Sequence, residues 1–211
     1  MKNAKKNLIL QAACAAFTES GFEKTSIGSI SRRAGVAQGL ARYHFVNKET
    51  LYFNTLLFVM TGLRDQLQSD VGALFLDQRE ATKEFVRSYM AFTSDASTGY
   101  AMVYREPPFA MLSNPEHMSA LAALSLEVVQ ILAGKLSSNQ DPETAFRLAA
   151  YVVTSLHGVQ RGRFSPVYRE LVDIDELAVF FAGAVQSMAG EDCEDRISDQ
   201  TILSSPVWGC K

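Results

Sequence analysis

Residues 9–52 read ILQAACAAFTESGFEKTSIGSISRRAGVAQGLARYHFVNKETLY and predict a series of short α-helices. A first helix runs from about Lys5 to Ser20, because its apolar side chains recur every third or fourth residue. Gly21 can take the left-handed conformation that ends it. The further boundary signals are Thr25 or Ser26 before a second helix from Ile27, Gly35 at its end, Ala37 or Gln38 before a third helix, and Asn47 before a fourth.

Residues 27–44 have the form of a helix-turn-helix unit. Two short helices that are joined by a turn with glycine, the second with small and polar residues at its start, fit the major groove of DNA. Ile30, Ala34 and Val36 are placed to pack the two helices together. The second helix is therefore expected to read bases while nearby cations bind phosphates. These cations are Arg32, Arg33, Arg42 and Lys48.

The net charge of −3 conceals opposite signs in two parts of the chain. Residues 1–50 carry eight Lys and Arg against three Glu, a net charge of +5. Residues 51–211 carry twelve against twenty Asp and Glu, a net charge of −8. This asymmetry indicates a polyanionic partner for the first part alone, although local charge fluctuation is the alternative where no motif accompanies it.

Residues 9–52 resemble the N-terminal domain of the TetR family of transcriptional regulators. The resemblance rests on several short elements in order and spacing, while the rest of the chain matches only in length and helical character. It implies an all-α protein, in which a three-helix helix-turn-helix DNA-binding domain precedes a helical ligand-binding and dimerisation domain. The elements are Ile9-Leu10, Ala12-Ala13, Phe17, Gly21-Phe22, Thr25-Ser26-Ile27, Ile30, Ala34-Gly35-Val36, Gly39, Tyr43-His44-Phe45, Lys48-Glu49 and Leu51.

The resemblance also implies which residues contact DNA. Gln38 is the best candidate for reading a base, since its amide can pair with adenine, and Gly39 lets the main chain approach. Ala37 replaces the usual serine and removes a possible cap, and Ala41-Arg42 replaces a frequent Leu-Tyr pair, which leaves the operator preference open. Gln38, Gly39, Arg42 and Tyr43 are expected to face the groove, with Thr25, Ser26, His44 and Lys48 near the DNA backbone. Ala37, at the start of the same helix, completes the predicted set of DNA-binding residues.

Two of these residues have a structural alternative. Tyr43 can pack in the small core instead of facing the groove. His44, beside Phe45, is interpreted mainly as a structural hydrogen-bonding residue that ties the third helix to the fourth.

The chain is expected to divide into a DNA-binding domain (residues 1–50), a ligand-binding and dimerisation domain (residues 51–190) and an irregular tail (residues 191–211). The helical period and the Gly, Pro and Ser-Asn breaks place the later helices. Their predicted ranges are 48–68, 73–96, 100–112, 115–136, 142–163 and 174–189. Pro107 and Pro108 must break or kink the segment that contains them.

Two apolar stripes predict a homodimer with a four-helix interface, as the resemblance implies. The alternative is that both stripes pack within one chain. The dimerisation residues are Leu148, Val152, Leu156, Ile174, Leu177, Phe181 and Val185.

The middle helices are rich in aromatic and methionine side chains, which favours a pocket for a largely apolar small-molecule effector, although ordinary core is the alternative for each residue. The helix that starts at Lys48 runs into this region and is expected to link the pocket to DNA binding. The predicted ligand-binding residues are Tyr104, Arg105, Phe109 and His117.

Other classes of function find little support in the sequence. Three cysteines without paired spacing predict neither a disulfide framework nor a metal site, and they fit a reduced cytoplasm. Residues 1–17 imitate a signal peptide, but Gln11 interrupts the apolar run, and no later stretch predicts a membrane span. Glycine-rich phosphate loops and nucleophile motifs are absent, so we expect no cofactor and no catalytic site. An all-helical interaction protein or an enzyme without DNA binding remains the alternative, and it leaves the basic helix-turn-helix unexplained.

Overall fold

The computed structural model describes residues 2–105, 107–163 and 172–190, and over these ranges it contains helices and turns but no strand. The predicted all-α fold is thus confirmed, whereas the predicted tail, residues 191–211, lies outside the described residues. A π-helical turn (Gln68–Gly72) and two 3-10 turns (Ala96–Thr98 and Tyr100–Tyr104) accompany the α-helices. In the described ranges these are α1 (Lys2–Ser20), α2 (Ile27–Arg33), α3 (Gln38–His44), α4 (Lys48–Leu67), α5 (Gln78–Ser94), α6 (Phe109–Leu112), α7 (Pro115–Leu136), α8 (Pro142–Gly162) and α9 (Ile174–Gly190).

The helices α1, α2 and α3 form a small unit around a shared apolar core. Phe17, Ile30 and Phe45 are fully buried there, and removing such side chains from water stabilises the unit. The predicted stop at Gly21 and the turn at Gly35 are confirmed by φ angles of 74° and 64°, which lie in the left-handed region.

Side chains cap the starts of α2 and α4 but not that of α3. The Ser26 hydroxyl accepts a hydrogen bond from the Ser29 amide, and the Ser29 hydroxyl accepts one from the Ser26 amide. Asn47 accepts a hydrogen bond from the Thr50 amide at the start of α4. As predicted, Ala37 offers no capping group to α3. The third helix therefore depends on packing against its neighbours for its stability.

Helix α4 leaves this unit and continues without a break into the rest of the protein. Leu51, Val59, Leu63 and Leu67 are buried along it. The domain boundary predicted at residue 50 falls within its first turn, so the two parts of the chain share this helix.

The remaining helices pack around α4 and α5. Helix α7 lies against α4 and α8, and α9 lies along α5. The single helix predicted over residues 100–112 is wrong, because the structure divides it into the turn Tyr100–Tyr104 and the short α6. Pro107 and Pro108 explain the division, since proline lacks an N–H donor and clashes with the preceding turn. Two later helices begin as predicted, each with proline behind a capping residue: Asn114-Pro115 and Asp141-Pro142.

The two stripes predicted to form a subunit interface belong to the core of one chain. Their side chains are buried or half-buried, because α5 covers the stripe on α9 and α7 covers that on α8. Packing within one chain, the alternative considered for these stripes, thus accounts for Leu148, Val152, Leu156, Ile174, Leu177, Phe181 and Val185, and their contact with a second subunit stays a prediction. The outer faces of α8 and α9 instead expose Tyr151, Val179, Phe180 and Met188.

One helix among the described residues, α7, is long and apolar enough to cross a membrane by length and composition alone. Core helices of soluble proteins can have the same properties. Helix α7 buries Val128, Leu132 and Leu136 against its neighbours, and so it serves as a core helix of this fold.

Gly35→Ala should lower the free energy of unfolding by about 1–2 kcal/mol, because a side chain in the left-handed region is strained by that amount. Crowding does not contribute, since a Cβ at residue 35 would have no atom within 4 Å. Gly134→Ala, in equally open surroundings inside α7, is the matched control and should raise stability by about 0.5–1 kcal/mol. Urea denaturation followed by circular dichroism measures both changes, and equal shifts would contradict the argument.

Candidate DNA interface and ligand cavity

Helix α3 exposes four of the residues predicted to face the groove. Gln38, Gly39 and Arg42 are exposed, and they lie on the same side of the helix as Tyr43, which is 70% exposed. This exposure excludes the core position that was the alternative for Tyr43. A Cβ on Gly28 would lie 3.5 Å from Gln38 Nε2, an ordinary contact distance, so the Gln38 amide lies beside α2.

Thr25 has hydrogen-bond partners within the protein. It is 5% exposed, and its hydroxyl lies 2.7 Å from the Gly21 carbonyl oxygen and 3.3 Å from that of Ala16. The last carbonyls of a helix have no partner within it, and the Thr25 hydroxyl donates to them at the end of α1. The Thr25 side chain therefore stabilises the turn after α1, and its contact with DNA stays a prediction. Its neighbour Ser26 is exposed at the start of α2.

Lys48 also has partners within the protein. Its Nζ donates to the Phe22 carbonyl oxygen at 2.9 Å and lies 4.0 Å from the centroid of the Phe22 ring. A charged hydrogen bond and a cation–π contact together hold the start of α4 against the turn after α1. The Lys48 ammonium therefore helps to position α4, and its contact with phosphate stays a prediction.

His44 lies half-buried at the end of α3. Its ring centroid is 5.3 Å from that of Tyr43 and 6.1 Å from that of Phe45. The side chain therefore packs between a groove-facing residue and the core.

Two arginines that were predicted to surround α3 differ in how free their guanidinium groups are to bind phosphate. Arg33 makes a two-pronged bridge to Glu19, with Nη1–Oε2 and Nη2–Oε1 distances of 2.6 Å, which joins α2 to α1. The same hydrogen bonds lower the pKa of the Glu19 carboxyl. Arg42 is exposed, and no ion pair involves it among the described residues. It is the better candidate for a phosphate contact.

A cavity of about 420 Å³ lies among the helices that follow this unit. Its size is suitable for a small molecule. One wall is a single face of α4, formed by Tyr52, Leu56, Met60 and Leu63. The other walls come from α5, the segment after it, α6, α7 and α8, and they include Tyr89, Tyr100, Met102, Val103, Arg105, Met111, Met118, Leu121, Val128, Val153 and His157.

Of the four residues predicted to bind a ligand, only Arg105 lines this cavity. Tyr104 packs behind its wall, with its ring centroid 4.8 Å from that of His157. Phe109 is 82% exposed, because the one-turn α6 points it away from the core. His117 stacks on Phe53, with ring centroids 3.8 Å apart. These three predictions are therefore wrong for this cavity.

The cavity residues that the prediction missed include the α4 face and two further tyrosines, Tyr89 and Tyr100. Their signal was present in the sequence, since Tyr52, Leu56, Met60 and Leu63 recur at helical spacing. The same spacing is equally typical of ordinary core. The sequence alone therefore could not identify this face as the wall of a cavity.

The polar groups of the cavity are few. The buried Tyr52 hydroxyl has no hydrogen-bond partner in the described part of the chain, and burial raises its pKa to about 12, against the effect of the nearby Arg105 charge. The hydroxyls of Tyr89 and Tyr100 lie 3.5 Å apart. Burial, followed by the charge of Arg161, lowers the pKa of His157 and favours its neutral form.

Two cavity residues directly contact the DNA-binding unit. The Tyr52 ring packs edge-on against Phe17 and Phe22, with centroid distances of 4.9 Å and 5.4 Å. Arg105 Nη2 donates to the Thr18 carbonyl oxygen near the end of α1 at 2.6 Å. A ligand that moves either side chain would therefore change a direct contact with α1 or with the turn that follows it.

A third contact joins α1 to the segment between α5 and the cavity wall. The Cys14 thiol donates to the Thr98 carbonyl oxygen at 3.6 Å, and burial raises its pKa to about 11. Gly99, with φ of 70°, passes so close that a Cβ there would overlap the Cys14 sulfur. Glycine is thus required at this crossing for both conformation and space.

Within the described ranges, His, Cys, Asp and Glu side chains form no group of three or more that could hold a metal ion.

Comparison with known proteins finds regulators with a helix-turn-helix domain. Residues 9–54 match the family described as bacterial regulatory proteins, tetR family. The HTH-type transcriptional regulator BetI of Escherichia coli O157:H7 is 25% identical over 168 residues, which span 72% of this chain and 80% of BetI.

Two solved structures share the fold. The transcriptional regulator FadR of Bacillus subtilis, in complex with stearoyl-CoA, has a TM-score of 0.66 at 16% identity, over 85% of this chain and 97% of FadR. A SmeT–triclosan complex has a TM-score of 0.60 at 23% identity, over 86% of this chain and 90% of SmeT. With the helix-turn-helix unit, its exposed α3 face and the helical body behind it, the chain is similar to transcriptional regulators of the TetR family, and residues 9–54 carry the DNA-binding domain of that family.

Proposed function

We propose that the protein is a ligand-responsive repressor that binds a palindromic operator as a homodimer and releases it when a small molecule enters the cavity. One observation carries the proposal: α4 begins beside the DNA-facing unit at Lys48, and Tyr52, one turn later, lines the cavity. Regulators of this family bind operator DNA as dimers and respond to small molecules. We expect the protein to act in the cytoplasm, where operator DNA is found.

The proposed DNA contacts divide between the groove and the phosphates. Gln38 and Tyr43 read base edges, Gly39 allows the main chain to approach, and Arg42 binds phosphate or guanine through its planar fork. Ser26, Ala37 and His44 are proposed to lie beside the sugar-phosphate backbone of the DNA. Their exposed or half-exposed positions on and around α3 support this assignment.

The proposed effector is largely apolar, because methionine, leucine, valine and tyrosine side chains form most of the cavity wall. FadR and SmeT are known in complexes with stearoyl-CoA and triclosan respectively. For the effector to release DNA, it must bind more tightly to the conformation that spaces the recognition helices badly.

The proposed dimer forms through the outer faces of α8 and α9. Tyr151 and Phe180 are 58% and 66% exposed there, and Val179 and Met188 are further large apolar side chains exposed on α9. A group of large apolar side chains on a surface is typical of a contact with another protein. Such a dimer would present its two α3 helices about 34–36 Å apart, or at a multiple of one DNA turn.

Gln38→Ala should relax base preference at one position in each half-site and weaken binding to the preferred sequence by about 1–3 kcal/mol. The preferred duplex can be selected from the DNA that flanks the gene and compared with its single-base variants by fluorescence anisotropy. Gln130→Ala, at an exposed glutamine of α7, is the control. An equal loss of affinity for every base variant would show that Gln38 does not read sequence.

Arg42→Ala and Lys48→Met should separate binding of phosphate from positioning. Loss of Arg42 should lower the slope of log affinity against log salt by about one for each site it touches. Loss of the Lys48 ammonium should instead lower the free energy of unfolding by about 1–2 kcal/mol, because its hydrogen bond and cation–π contact are removed, with little change in slope. A lower slope for Lys48→Met would assign it to phosphate after all.

Adjacent phenylalanines of α9 should respond differently to glutamate. Phe180→Glu should split the dimer and leave each subunit folded, since it places a charge in an apolar seam. Phe181→Glu should unfold the chain, because residue 181 is 9% exposed. Phe109→Glu, at an exposed site on α6, is the control for the added charge. Sedimentation and circular dichroism measure both properties, and a monomeric unmutated protein at micromolar concentration would refute the dimer.

A further inference from the structure

One corner of the cavity differs from the rest of its apolar wall. Tyr52 is 1% exposed, and its hydroxyl, which is buried, lacks a hydrogen-bond partner in the described part of the chain. Buried hydroxyls without a partner are rare, because leaving one unsatisfied is costly. A ligand atom that accepts a hydrogen bond would remove this cost.

Arg105 stands at the exposed rim of the same cavity. It is the only charged side chain among the described residues that line it. Its recorded partner is the neutral Thr18 carbonyl oxygen, at 2.6 Å, and it takes part in no ion pair among the described residues. An apolar cavity whose rim carries a positive charge without an ion pair in the described part of the chain favours a molecule with an apolar body and a negative end.

We propose that the effector is an amphipathic anion, with its apolar part among the methionines and its acidic group bound by the Arg105 guanidinium and the Tyr52 hydroxyl. The inference rests on the proposed function, and it names the chemical class of ligand for the same cavity. Arginine suits this task, because its planar fork matches a carboxylate or phosphate through two parallel hydrogen bonds.

Both proposed anion-binding residues contact the DNA-binding unit directly. An anion that engages Arg105 competes with the Thr18 carbonyl, which releases a contact at the end of α1. A ligand hydrogen bond to Tyr52 shifts a ring that packs on Phe17 and Phe22. The acidic group therefore acts where the two parts of the chain meet, while the apolar part supplies affinity.

Matched acids and alcohols test the ligand class. Octanoate, decanoate and dodecanoate are compared with the alcohols of equal chain length, below their micelle concentrations, by calorimetry with the full chain and by release of duplex DNA. At least one acid should bind about tenfold more tightly than its alcohol, which is typical of a charged hydrogen bond, and only acids should release DNA. Binding of no acid, or equal binding and release by acids and alcohols, would overturn the inference.

Variants then locate the acidic group. Arg105→Gln should weaken acid binding about tenfold and leave alcohol binding unchanged. Arg105→Lys should retain most of the preference for acids, because it keeps the positive charge. Tyr52→Phe should weaken acid binding by a smaller factor than Arg105→Gln. Arg147→Gln, at an exposed arginine of α8 that bridges to Glu143, is the control. Thermal denaturation without ligand checks that each variant is folded.

The outcomes separate this inference from the proposed function. If Arg105→Gln weakens acids and alcohols equally, the anion site is wrong, although a small molecule still binds the cavity. If the unliganded protein fails to bind duplex DNA, the proposed function fails whatever the acids do.

Discussion

The packing of Tyr52 against Phe17 and Phe22 is the contact on which the rest of the structure depends. It joins the first turns of α4 to the end of α1 and to the turn that follows, with centroid distances of 4.9 Å and 5.4 Å. Lys48 strengthens the same junction through the Phe22 carbonyl and ring. Because α3 rests on α1 and α2, the direction of α4 sets the direction of the recognition helix.

Local sequence was enough to predict the DNA-binding unit and most helix boundaries. Gly21 and Gly35 end their helices as expected, and Ala37 leaves α3 uncapped. Such features depend on the chemistry of single residues and their immediate neighbours, which a sequence displays directly. The exposure of Gln38 and Arg42 follows in the same way, from their positions on a short helix whose other face is apolar.

It was harder to predict from the sequence what each apolar face or polar side chain contacts in the folded protein. The stripe with Leu156 on α8 is apolar enough for either a subunit contact or a core contact, and only the fold shows that neighbouring helices cover it. Thr25 and Lys48 have side chains that suit phosphate, yet backbone carbonyls of the folded chain accept hydrogen bonds from both. The sequence also did not reveal this wall of the cavity, because the α4 face with Tyr52 has the apolar pattern of an ordinary core face.

The crossing of Cys14 and Gly99 has an evolutionary consequence. The sulfur occupies the space where a side chain at residue 99 would begin, so residue 99 cannot gain a side chain unless residue 14 becomes smaller or the segment moves. Related sequences with a larger residue at position 99 should carry a smaller one at position 14, unless the segment after α5 has moved. Covariation between these positions across a family alignment would then record how closely that segment has stayed against α1 while ligand specificity diverged.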